Sequence, residues 1–204
     1  MKLREFLAKL IGRQPSATPA TDPRLFVLDL LPRNSVGAEI GVHTGDFSAA
    51  MLARLAPTEL HLIDPWRHET AATYKKAWYG GRARGGQAEM DARYQGVCVR
   101  FAAEIQAGRV LIHRDCAAPA LGPVADAHFD WIYIDGNHLY EFVKQDLAVA
   151  FQKTKPGGII CGDDYMPGGW WQGGVKKAVD EFVKEHTLQS CRIIQNQYLL
   201  TKAT

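Results

Sequence analysis

Over 204 residues the chain is 47% hydrophobic and 23% charged, a globular composition with enough apolar side chains for one sizeable core. A formal net charge of +2, with no long block of one sign, gives no electrostatic case for nucleic acid or an anionic membrane as main partner. A small molecule is therefore the expected partner.

At the start of the sequence, Leu3, Phe6, Leu7, Leu10 and Ile11 recur at helical spacing between Lys2, Arg4, Lys9 and Arg13. Charge interrupts any signal-peptide core there, no transmembrane segment is expected, and the chain reads as cytoplasmic. This amphipathic helix could lie on a membrane or pack on its own or a sister domain. A homo-oligomer formed through it and a monomer with the helix folded back are both compatible with its periodicity. Gln14 to Pro23 reads as a linker, so the organisation expected is residues 1–23 as helix and linker and 24–204 as a single domain.

After Pro32, strand-like and helix-like segments alternate, which predicts an α/β fold with a mainly parallel sheet and helices on both faces. The strands expected are Val36 to Val42, Glu59 to Asp64, Arg109 to Arg114, Phe129 to Asp135 and Gly158 to Gly162. Helices are expected over Asp46 to Leu55, Glu89 to Gln106, Tyr140 to Lys153 and Gly174 to His186. A closing hairpin, Cys191 to Gln195 and Tyr198 to Lys202, is expected to turn at Asn196 and Gln197. Cys98, Cys116, Cys161 and Cys191 have no CxxC spacing and read as reduced thiols.

In such a sheet, ligands gather outside the carboxyl ends of the strands, where the winding reverses. The first strand runs through Glu39 into the turn Gly41-Val42-His43-Thr44-Gly45. Gly41 and Gly45 let backbone approach a ligand, and the amides opening the next helix can face a carboxylate. A dinucleotide fingerprint starting at Gly41 would need glycines where His43 and Asp46 stand, which disfavours NAD. Asp64 ends the second strand, where its two oxygens could accept both hydroxyls of a ribose, although a solvated strand-end acid is the plainer alternative.

Three further acids, Asp135 in IDGNHLY and Asp163 with Asp164 in GDDY, end strands expected to be neighbours about 4.8 Å apart. Like charges that close share protons or bind a cation, and an all-oxygen set favours Mg²⁺, Mn²⁺ or Ca²⁺ over zinc. Alternatively, one acid of the Asp163-Asp164 pair caps a turn and the other faces solvent. His138 follows Asp135 closely and titrates near neutrality, so it is the first candidate general base and Asp135 the second. A helix-capping or structural role for His138 stands beside this. His43 suits a loop-ordering or cofactor-contact role, and the remaining histidines have no motif context.

The run from EIGVHTG through LIDPW and IDGNHLYEFVKQDL to KPGGIICGDDY and GVKKAVDEF resembles the class I S-adenosylmethionine-dependent methyltransferases, over roughly Val36 to Lys202. More narrowly, it is similar to the branch that includes macrocin-type and mycinamicin-type sugar O-methyltransferases and the cephalosporin-pathway methyltransferase-like protein. The resemblance implies a Rossmann-like, doubly wound sheet of seven strands with the last antiparallel. It implies S-adenosyl-L-methionine as cofactor, touched by Glu39, Gly41, Asp64 and Asp115, with His43, Gly45 and Asp135 beside them. Asp115, in RDCA, matches the position facing adenine, a role that can coexist with capping the next helix. In the related sugar methyltransferases the three acids hold Mg²⁺, which carries that role to Asp135, Asp163 and Asp164.

The function expected is thus metal-assisted O-methylation of a small molecule, a sugar or catechol-like diol. The alternatives are a metal-free N- or carboxylate methyltransferase and a non-catalytic binding domain. Acceptor specificity is expected in an insertion from Trp66 to Tyr94, with Tyr74, Trp78, Tyr79, Lys75, Lys76, Arg82 and Arg84, and at Trp170 and Trp171. Glycines at 80, 81, 85 and 86 suggest that this insertion closes as a lid.

Overall fold

Short apolar runs that end in glycine or an acid supply the strands, and a helix crosses from nearly every one to the next. A computed structural model describes residue 22 and residues 24–204. The expected N-terminal helix, and the linker apart from Asp22, lie outside the described residues.

A one-turn helix α1 (Leu25–Leu28) leads into β1 (Val36–Ile40), α2 (Asp46–Leu55) and β2 (Glu59–Ile63). A 3₁₀ turn (Ala72–Tyr74), α3 (Gly86–Arg100) and α4 (Ala102–Gln106) precede β3 (Val110–His113). The chain continues through α5 (Ala117–Leu121), β4 (Phe129–Ile134), α6 (Tyr140–Lys153), β5 (Thr154–Gly162) and α7 (Gly174–Glu185). It finishes in β6 (Leu188–Ile194) and β7 (Gln197–Lys202). The seven strands form one sheet in the order β3-β2-β1-β4-β5-β7-β6. Strands β1 to β5 pair in parallel and β7 runs antiparallel to both β5 and β6, the arrangement expected.

Alternation along the strands feeds two cores. Leu60, Leu62, Trp131 and Tyr133 pack with Met51, Leu55, Trp66 and Met90 on one face. Ile40, Ile63, Ile132 and Ile134 pack with Leu147, Val179 and Tyr198 on the other. Each such side chain, fully buried, contributes about 1.5–3 kcal/mol, so the sheet fixes where its strand ends stand. The winding reverses between β1 and β4, and the carboxyl ends there face a common cavity.

Most boundaries differ from those expected by one to three residues, as where β6 starts at Leu188 and the helix expected from Glu89 at Gly86, and three differences are structural. The helix expected over Glu89 to Gln106 is two helices, because Phe101 leaves helical geometry (φ −108°, ψ 21°) and packs its buried ring beside Gly45. Strand β5 begins at Thr154, with a shift in register that absorbs the Pro156-Gly157-Gly158 stretch. The hairpin turns at Gln195 and Asn196 (φ 49° and 66°), the paired positive φ values of a two-residue turn, and Gln197 opens β7 instead. Among the described residues no helix is long and apolar enough to cross a membrane.

Just past β1, Gly41 lies against the chain leaving β4 with φ +96° and no room for a side chain: a Cβ there would clash with the Asp135 carbonyl. Gly41→Ala is expected to cost on the order of 3 kcal/mol, read as a lower denaturant midpoint at unchanged slope. A variant as stable as wild type would mean that β1 and β4 can part at this point.

Candidate active site

The turn after β1 is held from beneath by one buried acid. Asp64, 1% exposed at the end of β2, accepts hydrogen bonds from the Val42 amide (2.9 Å), the His43 amide (3.0 Å) and the Trp66 amide (2.7 Å). Its fourth donor is the Tyr79 hydroxyl. Burial pushes the Asp64 carboxyl up, against the pull of these donors. A carboxylate has about four acceptor positions, and here the chain itself fills them. The Tyr79 hydroxyl is the one side-chain donor among them, so its place is the one a ribose hydroxyl could take. Gly45, with φ +78°, closes the turn and opens α2, while His43 (φ 56°) leaves a buried Nε2 without a partner.

Glu39, on β1, is also 1% exposed, and its Oε2 accepts the Ser48 hydroxyl. Burial pushes its carboxyl up to about 8. Asp115 ends the β3 segment, exposed, with Oδ1 accepting the Cys116 amide (2.8 Å); Cys116, not Asp115, is the N-cap residue of α5. Asp146 reaches the same cavity from α6, and burial pushes its carboxyl up to about 7.

At the other end of the cavity stand Asp135, His138, Asp163 and Asp164. His138 Nε2 is 3.2 Å from Asp135 Oδ1. Its Nδ1 is 3.1 Å from Asp164 Oδ2 but lacks hydrogen-bond alignment, so that buried nitrogen is without a hydrogen-bond partner. Burial alone would lower the His138 pKa; the hydrogen bond accepted by Asp135 and the charges of Asp135, Asp164 and Asp163 outweigh it and raise the pKa. One ligand atom each from Asp135, His138 and Asp164 lie within 4.8 Å of one another. Asp163 lines the same cavity but is not part of that close group, and its Oδ1 accepts the Asp164 amide (2.7 Å) and the Gln197 side-chain amide. Burial, then the Asp135 charge, pushes Asp163 up to about 7.

Arg24, just before α1, enters this cluster unannounced by any motif. Its Nη1 donates to Asp135 Oδ2 (2.7 Å), its Nε is 4.0 Å from Asp163 Oδ2, and its guanidinium lies over the Phe47 ring at 4.7 Å. Asp22 grips the same guanidinium through Nε and Nη2, which anchors this stretch over the rim.

These groups line one cavity of about 440 Å³, walled by Tyr74, Trp78, Tyr79 and Trp170. Asn137, after β4, donates to the Tyr74 hydroxyl (2.8 Å), and the Glu69 amide donates to the Tyr79 carbonyl (2.7 Å), so the segment after β2 is tied across the opening. Trp171 packs edge-on against His138 at 4.9 Å behind this wall. Lys75, Lys76, Arg82 and Arg84 are exposed and none lines the cavity; Arg82 stacks on Trp78 at 4.8 Å.

A family model described as a methyltransferase domain matches residues 38–165. No curated protein sequence matches. Among solved structures, cofactor-bound Rv0187 from MTB has a TM-score of 0.65 at 14% identity, covering 98% of this chain and 89% of that one. The O-methyltransferase TomG from Streptomyces achromogenes, in complex with SAM, has a TM-score of 0.62 at 18% identity, with 97% and 86% covered. The O-methyltransferase NovP gives 0.58 at 17% identity, with 89% and 80% covered. At these identities the structural likeness shows the fold.

Glu39 carries a stability cost that pH reveals. Its folded-state pKa of about 8 lies above the ordinary carboxylate value, so across that window the folded chain keeps a proton that the unfolded chain has lost. Its contribution to stability therefore falls as pH rises toward 8. Glu39→Gln is expected to gain on the order of 1 kcal/mol at the alkaline end of that window and to flatten the fall, measured by urea unfolding across pH. A variant less stable than wild type throughout would show that the ionised group is needed.

Proposed function

Because this chain belongs to the methyltransferase-domain family, within the class I S-adenosylmethionine-dependent methyltransferases, we propose that it methylates a hydroxyl of a small sugar-like or catechol-like acceptor. The observation that carries the reading is His138, set between Asp135 and Asp164 in a cavity walled by aromatic rings. When bound, S-adenosylmethionine supplies an electrophilic methyl group on a sulfonium.

The residues present suit that cofactor. Glu39 is a buried acid at the cavity, suited to a cationic amino group. The Gly41–Gly45 turn offers close backbone and the partnerless His43 Nε2. Asp64 would take a ribose hydroxyl in place of Tyr79, and Asp115 with Asp146 would flank the adenine. Asp135 lies between the cofactor and acceptor ends.

His138 would take the proton of the acceptor hydroxyl, and the carboxylates on either side would offset the charge it gains. Tyr74, Trp78 and Trp170 would present ring faces to a planar or sugar acceptor. A divalent cation also suits the rim: Asp135 and Asp164, with Asp163 beside them, are oxygen donors of the kind Mg²⁺ takes, and Lewis acidity toward the hydroxyl is what it would supply.

A second reading rests on Arg24, whose guanidinium already balances Asp135. In that case transfer needs no metal, and the acceptor could equally be nitrogen or a carboxylate.

Calorimetry of S-adenosylmethionine and Mg²⁺ binding to wild type and Asp164→Ala, followed by transfer assays on diols, tests both. The first reading expects cofactor binding, a Mg²⁺ isotherm abolished in Asp164→Ala, and loss of transfer on chelation. Rates indifferent to chelator but lowered by Arg24→Ala would select the second, and a folded protein that binds no cofactor would sink both. His138→Ala is expected to lower kcat by about 10²–10⁴-fold with cofactor affinity little changed. An unchanged kcat would remove His138 as the base.

A further inference from the structure

A second group of donor side chains lies away from the active-site cavity and contributes nothing to its lining. Glu59 opens β2, His61 lies two residues along on the same face, and His128 immediately precedes β4. Both imidazoles converge on one carboxylate oxygen: Glu59 Oε1 is 2.8 Å from His61 Nε2 and 2.7 Å from His128 Nε2. Behind His61, its Nδ1 meets His113 Nε2 of β3 at 3.0 Å, with the two rings stacked. Phe129 sets its ring edge to face against both His61 (5.0 Å) and His128 (4.9 Å), which restricts how either imidazole can turn.

We propose that Glu59, His61 and His128 form a binding site for a first-row divalent cation of the zinc type, with water in the fourth position. Two imidazoles and one carboxylate are the donor set zinc takes and the one magnesium and calcium do not. Ligands around tetrahedral zinc stand roughly 3.3 Å apart, so the two nitrogens need only retreat from the oxygen by about 0.5 Å. Exposure fits an open fourth position: His61 is buried (5%), whereas His128 (32%) and Glu59 (33%) reach solvent. The contact behind His61 also suits a ligand. With Nε2 on the metal, His61 carries its proton on Nδ1 and donates it to His113 Nε2, which fixes the ring as metal-bound imidazoles are commonly fixed. Such a cation would join β2 to the segment that enters β4, across the amino end of β1.

The test uses the intact protein with Zn²⁺ and Co²⁺ as probes. Wild type is expected to bind one Zn²⁺ that excess Mg²⁺ does not displace, to show the visible absorption of four-coordinate, nitrogen-ligated Co²⁺, and to melt higher with Zn²⁺. His128→Ala, a half-exposed position, weakens that binding by at least about tenfold, and His113→Phe, which removes only the acceptor behind His61, by about 10–100-fold. Ions held at Asp135 and Asp164 are untouched by either change. Absence of Mg²⁺-resistant Zn²⁺ binding, or binding that His128→Ala and Glu59→Gln leave unchanged, would overturn the proposal.

Discussion

Asp64 is the point at which the site is tied together. Its carboxylate is removed from water and then repaid by donors from three stretches of chain: the turn after β1, the residue that follows Pro65, and Tyr79. An ionised group left without those donors would be costly in such surroundings, so the turn, the strand end and the aromatic wall must take up their places together. The geometry of the cavity follows from satisfying one acid.

The same economy of charge governs the far end. Four acids, Glu39, Asp135, Asp163 and Asp164, face a confined space, and the chain balances them in different ways. Glu39 takes a proton, Asp135 takes the Arg24 guanidinium, and Asp164 lies against the His138 imidazole. Asp163 leans on amide donors from Asp164 and Gln197 while burial and Asp135 push it up to about 7. Any cationic ligand that enters exchanges one of these balances for another, so binding at this rim is coupled to proton release and to the position of Arg24.

Much of this was legible in the sequence, because strand runs, glycine turns and strand-end acids are local signals. The Val36 start of β1 and the Tyr140–Lys153 helix follow from patterns within a few residues, whereas the seven strands with the last antiparallel were implied by the family resemblance. What was not legible depends on contacts far apart in the chain. The break at Phe101 comes from packing against Gly45, and the one-residue shift of the hairpin turn accompanies Gln197, which is buried and bonded to Tyr133 and Asp163. Arg24 meets Asp135 across 111 positions, and Tyr79 meets Asp64 with no motif around it. Asp146 stands on a helix with no motif around it, and only the packing of the sheet brings it to the cavity. His61 and His128, without motif context in the sequence, are brought together at Glu59 by strand pairing.

Gln197 gives the molecule an order of assembly. The Tyr133 hydroxyl donates to its side-chain oxygen at 3.0 Å, and its nitrogen holds Asp163, so the last hairpin in the chain sets an acid that was synthesised more than thirty residues earlier. A ribosome adds about 5–20 residues per second, and strands β1 to β4 can emerge before β7 is made. During that interval the turn after β1 can be complete while Asp163 still lacks the Gln197 amide donor. The nascent chain can therefore set the turn after β1 before the rim at Asp163, and the finished rim becomes a marker that synthesis has passed β7.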